Sequence, residues 1–317
     1  MSVILVTSRS FGDGEADLHA RVAAAGHEVV RGPSHHALDE LAPLLAGADA
    51  WVAGTGPVTA EHLAAAPRLR IVARYGVGVE AVDIEAATRR GVWVANTPGA
   101  NADAVADHAV GLMLAALRHT VDGDRRVRRG DWSVRRGREL GALAVGIVGF
   151  GRIGQGVARR VSGFGSRVLA ADPFLPAERF ADLGATAATL DDVFHESDLV
   201  TLHAPGGQLV ADAARLALLP PGAVLVNTAR PDLVDEDAVA RALRSGALGA
   251  YAADVLQGDT AGHDSPLLAD DLADRVVVTP HLGAQTVQAV DNMGTLALDN
   301  ALAVLAGDPP PNPLNEV

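Results

Sequence analysis

The stretch LAVGIVGFGRIGQGVARRVSGFGSRVLAAD, residues 143–172, decides the fold. Residues 143–148 form a short apolar run, the pattern of a strand buried on both faces of a parallel sheet. It runs straight into Gly149-Phe150-Gly151-Arg152-Ile153-Gly154, a GxGxxG. A helix-permitting stretch continues to about Phe164, and a second strand, residues 167–171, ends in Asp172. In such a unit the first glycine makes the tight turn and the second lets a pyrophosphate approach the backbone. The third lets the helix pack against the strand. The helix N-terminus offers free N–H groups and the positive end of a dipole. Asp172 suits a bidentate hold on an adenosine ribose diol and would repel a 2′-phosphate, so the unit predicts NAD(H) over NADP(H).

Outward from this unit, short apolar strands alternate with helical stretches along most of the chain. Strands are expected at residues 3–6, 28–30, 50–52, 70–73 and 92–94, and again at 198–202, 223–226, 249–252 and 276–278. Such alternation predicts α/β architecture: two Rossmann-like, doubly wound parallel-sheet domains. A long apolar helix, residues 102–117, crosses from the first to the second, and a last helix, about 286–305, returns to the first and makes it discontinuous. The expected division is a substrate domain of residues 1–99 and 285–317 and a dinucleotide domain of residues 100–284. Residues 122–138, DGDRRVRRGDWSVRRGR, read as a solvated loop or dimer-facing arm.

The 317 residues are 49% hydrophobic and 21% charged, a globular composition. A net charge of −13 argues against nucleic acid as the main partner. There is no cysteine, which excludes disulfides and thiolate catalysis, and all 26 basic residues are arginine, which excludes a Schiff-base lysine. No metal site is expected. The N-terminus has no cationic leader and no stretch approaches a membrane span, so a cytoplasmic protein with no membrane partner is expected.

Polar residues stand where the strands of the second unit end, the side on which such sheets bind ligands. Arg230 follows residues 224–229, Asp254 follows 249–253 with Asp259 five residues on, and His281 follows 276–280. A guanidinium fork matches a carboxylate. A histidine can protonate a carbonyl oxygen as hydride reaches its carbon, and a neighbouring carboxylate favours the protonated imidazole.

With these residues in view the chain resembles the D-isomer-specific 2-hydroxyacid dehydrogenase family. The resemblance is carried by ARYGVGVEAVD (73–83), NTPGANADAVADHAVGLMLAALR (96–118), VGIVGFGRIGQGVA (145–158), VTLHAP (200–205), NTARPDLVDEDAVARAL (227–243), GAYAADVL (249–256) and TPHLGAQT (279–286). It implies reversible hydride transfer between NAD(H) and a 2-oxo/2-hydroxy acid, in a homodimer. It makes Arg230, Asp259 and His281 the catalytic set, with Asp259 keeping His281 protonated. Gly76, Val77 and Gly78 join Arg230 in binding the substrate carboxylate. Arg152 and Ile153 are the pyrophosphate pair beside Gly149, Gly151, Gly154 and Asp172. His203, Ala204, Thr228, Ala229, Asp254, His281 and Gly283 complete the cofactor set, Asp254 near the nicotinamide carboxamide. Alternative readings are an NAD(H)-sensing regulatory protein, or a dehydrogenase of another small acid such as formate or phosphite. Three positions depart from the family pattern. Asp259 stands where glutamate is usual, and Pro231 replaces a glycine. Residues 53–55 lack the arginine that some members use for phosphorylated substrates, which argues against phosphoglycerate.

Overall fold

The computed structural model describes residues 1–258 and 264–317 and divides into two units, Met1–Asn101 with Gln285–Val317, and Ala102–Ala284. In the first, β1 (Val3–Val6), β2 (Glu28–Arg31), β3 (Ala50–Ala53), β4 (Ile71–Arg74) and β5 (Trp93–Ala95) form a parallel sheet in the order β2-β1-β3-β4-β5. β3 and β4 are buried at every residue, as expected of central strands covered on both faces.

The C-terminal segment is stitched into this unit by side chains. Asp291 accepts from the amides of Glu15 and Ala16, both at 3.0 Å, and the Tyr75 hydroxyl donates to the carbonyl of Val290 at 2.9 Å. Asn300, fully buried, donates to the Asn96 carbonyl at 2.9 Å and accepts from the Asn312 amide at 3.0 Å. The proline-rich tail, which cannot be helical, bridges β5 instead, with Leu314 N–H donating to Val94 O at 2.8 Å. The helix Val287–Ala306 starts on Thr286, whose hydroxyl accepts from Ala289 N–H. It stops at Gly307, φ 104°, a left-handed C-cap that glycine adopts without strain.

The second unit holds β6 (Ala144–Val148), β7 (Arg167–Ala171), β8 (Thr186–Ala187), β9 (Leu199–Leu202), β10 (Ala223–Asn227), β11 (Leu248–Ala253) and β12 (Val276–Val278). All are parallel, in the order β12-β11-β10-β9-β6-β7-β8. Side chains alternate between two cores. Val145, Ile147, Val224, Val226, Ala250 and Ala252 face one, with the helices Ala102–Leu117 and Arg152–Gly163; Leu225, Tyr251 and Ala253 face the other, with Phe194 and Leu243.

Two local expectations are corrected. The first half of the charged stretch is not a loop: Thr120–Arg128 is a helix without a buried residue. Its support is the i,i+4 pairing of Asp122 with Arg126 and of Asp124 with Arg128, which hydrophobic patterning does not register. The two-residue β8, exposed at both positions, was not anticipated because so short an edge strand carries no period.

Candidate active site

In the seven-stranded sheet the winding direction reverses between β6 and β9, and the GxGxxG lies at the carboxyl end of that crevice. Gly149 has φ 88°, and a Cβ there would lie 2.6 Å from the Ala204 nitrogen and the His203 carbonyl carbon. A Cβ on Gly154 would lie 2.2 Å from the Gly149 oxygen. Gly151 is different: a Cβ on it would meet nothing within 4 Å, so its smallness serves no contact inside the protein. It is also the N-cap of the helix Arg152–Gly163, and no side chain caps that helix. The N–H groups of its first turn are left for a ligand. Gln155 braces the turn by donating to the Phe150 carbonyl at 2.8 Å.

Asp172, at the end of β7, accepts from Phe150 N–H at 2.7 Å with one oxygen and from Phe174 N–H at 2.9 Å with the other. These bonds fix its carboxylate beside the glycine turn. After β9, His203 Nε2 is 3.0 Å from the Thr201 hydroxyl, while its Nδ1 is buried with no partner among the described residues. Burial pushes this imidazole down to about 3, so it is neutral at physiological pH. After β10, the Thr228 hydroxyl is likewise buried and unpartnered. Orphaned polar atoms are uncommon in proteins and call for a partner such as a water or a ligand. The open Gly151 cradle, the uncapped helix and these two atoms fit a dinucleotide.

Ala229 and Arg230 follow directly. Asn227, fully buried, shapes this turn by accepting from Ala229 N–H at 3.0 Å and donating to Arg230 O at 2.8 Å. The Arg230 guanidinium reaches back to the Ala229 carbonyl at 2.8 Å. Asp232 accepts from Gly207 N–H, and Asp235 caps the helix Glu236–Ser245 through Ala238 N–H. Pro231 opens a short 3-10 turn, where its missing N–H costs nothing.

Asp254, 2% exposed, follows β11 and builds the loop after β12. Burial disfavours its charge, yet donors from His108, Thr279, Leu282 and Gly283 outweigh that and hold its pKa below the usual carboxylate value. Thr279 Oγ1 donates at 2.5 Å, and Leu282 and Gly283 N–H at 2.7 Å each. The Asp254 carbonyl also accepts from His281 N–H at 3.1 Å. His281 is exposed and held at φ 56°, a left-handed backbone rare for a residue other than glycine, of the kind concentrated at functional sites. Gly283 is small because a Cβ would lie 3.0 Å from Asp254 Oδ2. Asp259 lies outside the described residues. His108, half-buried on the helix Ala102–Leu117, was not singled out from sequence: one histidine on an apolar helix looks like any other core residue.

In the first unit, the turn after β4 carries Gly76 at φ 130°. Gly76 N–H donates to Thr97 Oγ1 at 3.1 Å and Thr97 N–H returns to Gly76 O at 3.1 Å, while Asn96 donates to Val77 O at 2.9 Å. The Gly76 amide is therefore spent on the turn itself. The N–H groups of Val77 and Gly78 make no hydrogen bond within the described residues. No helix is long and apolar enough to cross a membrane, and no group of side chains able to hold a metal occurs among the described residues.

Residues 110–283 match the family model for the NAD binding domain of the D-isomer specific 2-hydroxyacid dehydrogenases. The chain is 42% identical over 304 residues to a D-3-phosphoglycerate dehydrogenase of Mycobacterium leprae, covering 93% of this chain and 56% of that one. It therefore spans little more than half the length of that relative. It is 40% identical over 265 residues to a glyoxylate reductase of Pyrococcus furiosus, covering 79% of this chain and 77% of the relative. The crystal structure of the TT0316 protein from Thermus thermophilus superposes with a TM-score of 0.87 at 34% identity, covering 99% of this chain and all of that one. Residues 110–283 are thus an NAD-binding domain, and the chain belongs to the D-isomer specific 2-hydroxyacid dehydrogenase family.

Proposed function

We propose that the protein reduces a 2-oxo acid to a D-2-hydroxy acid, or runs the reverse reaction, with His281 as the proton donor. The observation that carries this reading is the His281 loop: a strained histidine, presented by a buried ionised aspartate, in the unit that carries the dinucleotide turn. Bound NADH supplies the hydride. The Gly151 cradle and the first-turn amides of Arg152, Ile153 and Gly154 hold its phosphates, with Asp172 on the adenosine ribose. His203, Ala204, Thr228, Ala229 and Gly283 line the remainder. Arg230 pairs with the substrate carboxylate through two charge-assisted bonds. In the first unit, Val77 and Gly78 N–H offer donors suited to a carboxylate, with Gly76 setting the turn. His281 gives its proton to the 2-oxo oxygen and takes it back in the oxidative direction. Asp259 acts as the partner that favours the imidazolium, and Asp254 holds the loop. The protein works as a homodimer, with the arm that carries Trp132 and Val134, 78% and 93% exposed, covered by the second copy.

The experiment is NADH consumption with glyoxylate, hydroxypyruvate, pyruvate, a phosphorylated 2-oxo acid and bulkier 2-oxo acids, with formate and phosphite tested against NAD. Turnover with at least one unphosphorylated 2-oxo acid is expected. NADH binding without turnover on any of them, or turnover on formate or phosphite alone, contradicts the proposal.

A further inference from the structure

His108 stands two turns into the helix Ala102–Leu117, and its imidazole reaches the base of the His281 loop. Nε2 lies 2.9 Å from Thr279 Oγ1 and 3.2 Å from Asp254 Oδ1. The threonine hydroxyl has one proton, and its 2.5 Å contact with Oδ1 takes it, since an ionised carboxylate only accepts. The hydroxyl therefore accepts from His108, and Nε2 carries the proton. An unprotonated Nε2 would turn a lone pair on the carboxylate. His108 is thus a donor to both partners at once.

The consequence reaches the catalytic loop through two bonded steps. Asp254 Oδ1 takes the Thr279 hydroxyl and the Leu282 N–H, Oδ2 takes the Gly283 N–H, and the His281 N–H is held by the carbonyls of Asp254 and Thr279. Residues 279–283 are therefore shaped around one carboxylate. Among the described residues, His108 is the side chain from a helix that orients it; Thr279 belongs to the loop itself. Without His108, Oδ1 and Thr279 Oγ1 lose a shared donor, and the Asp254 carboxylate is held only by the Thr279 hydroxyl and two backbone N–H groups of the very loop it shapes.

Resting on the reading of His281 as proton donor, we infer that His108 is a positioning residue for the reaction: it fixes the Thr279–Asp254 pair and, through it, the left-handed backbone that presents His281. It touches neither substrate nor the transferred proton. Small misplacements of a proton donor are costly, roughly 10²-fold in rate for about 1 Å.

The test compares His108→Leu, which keeps the volume and loses the donor, with His108→Gln, whose side-chain amide can donate from a similar position. Thr279→Val, which removes the hydroxyl between them, is the second probe should His108→Leu not fold. Steady-state kcat and KM are read with the 2-oxo acid the wild type turns over, beside NADH affinity by fluorescence and Tm. His108→Leu and Thr279→Val are expected to lower kcat by 10-fold or more, with KM and NADH Kd within about threefold of wild type. His108→Gln should recover most of the loss. Folded His108→Leu or Thr279→Val with kcat within twofold of wild type overturns the inference, as does a kcat loss that His108→Gln shares in full. Absence of wild-type turnover on every acid would instead fail the proposed reaction itself, a result seen before any variant is made.

Discussion

The two sheets pose the same structural problem and solve it in opposite ways. Each reverses its winding direction once, between β1 and β3 in the first unit and between β6 and β9 in the second. A crevice opens at the carboxyl ends of the strands at such a point. In the first unit it is filled from within. The Thr7 hydroxyl, after β1, accepts from Trp51 Nε1 at 2.9 Å and from Gly54 N–H at 3.1 Å, and gives its proton to His36 Nε2 at 2.7 Å. His36 then donates from Nδ1 to the Pro57 carbonyl at 2.9 Å. A Cβ on Gly54 would lie 2.6 Å from the Thr7 carbonyl oxygen. In the second unit the corresponding point holds the uncapped helix, the open Gly151 cradle and the orphaned atoms of His203 and Thr228. Topology makes a crevice available in both; whether its polar groups are already satisfied decides which receives the nucleotide.

This contrast breaks first at Gly151. Gly151→Val adds a side chain whose Cβ meets no protein atom within 4 Å but which fills the cradle. NADH affinity should fall by about 100-fold, roughly 3 kcal/mol. Thermal stability should drop by no more than the cost of a poor N-cap, about 1 kcal/mol. A titration showing unchanged NADH affinity in this variant would remove the cradle from the account.

Thr7→Val is the matching lesion in the first unit. It strands the Trp51 and Gly54 donors, each at a cost of about 1–3 kcal/mol, so a loss of roughly 2–6 kcal/mol is expected by denaturant titration. The NADH Kd should not move. Weakened NADH binding in a folded Thr7→Val protein would mean that the first crevice takes part in holding the nucleotide.

The most gradual effect is a pH dependence. Burial lowers the His36 pKa to about 4 from 6.5, although its bond to Pro57 opposes the shift. The unfolded chain then takes up a proton near pH 6.5 while the folded chain does so only near 4. Stability from this residue is present above pH 6.5 and is lost as pH falls from there to about 4, by at most about 1.4 kcal/mol per unit. His36→Asn, which suits the left-handed backbone at φ 57°, should flatten that part of the curve. Identical slopes for the two proteins between pH 6.5 and 4 would show that His36 ionises freely in the fold.

The nucleotide crevice was legible in the sequence because each glycine's task is local: a turn, a close approach, a helix contact, all within thirty residues of Asp172. The filled crevice was not. Thr7, His36, Trp51 and Gly54 lie far apart in the chain and carry no spacing that announces a network. The same holds within the active site. Arg230, Asp254 and His281 stand out as polar residues ending apolar strands, but the sequence does not say that the Asp254 carboxylate is turned to its own loop. Nor does it say that the Gly76 amide is bonded to Thr97, or that His108 is a donor. Those facts depend on side-chain direction between separate elements, from 21 residues apart for Gly76 and Thr97 to 171 for His108 and Thr279. The helix Thr120–Arg128 escaped for a further reason: it is held by charge pairs on a solvated face rather than by an apolar stripe.

The most direct test of the chemistry is a single-turnover measurement on His281→Ala, following NADH oxidation on mixing the preformed NADH complex with an excess of the 2-oxo acid that the wild type uses. The account predicts NADH affinity close to that of wild type and oxidation slowed by about 10²–10⁴-fold, the usual worth of a positioned general acid. Oxidation at the wild-type rate would contradict it and leave the second unit as a nucleotide-binding module whose proton comes from elsewhere.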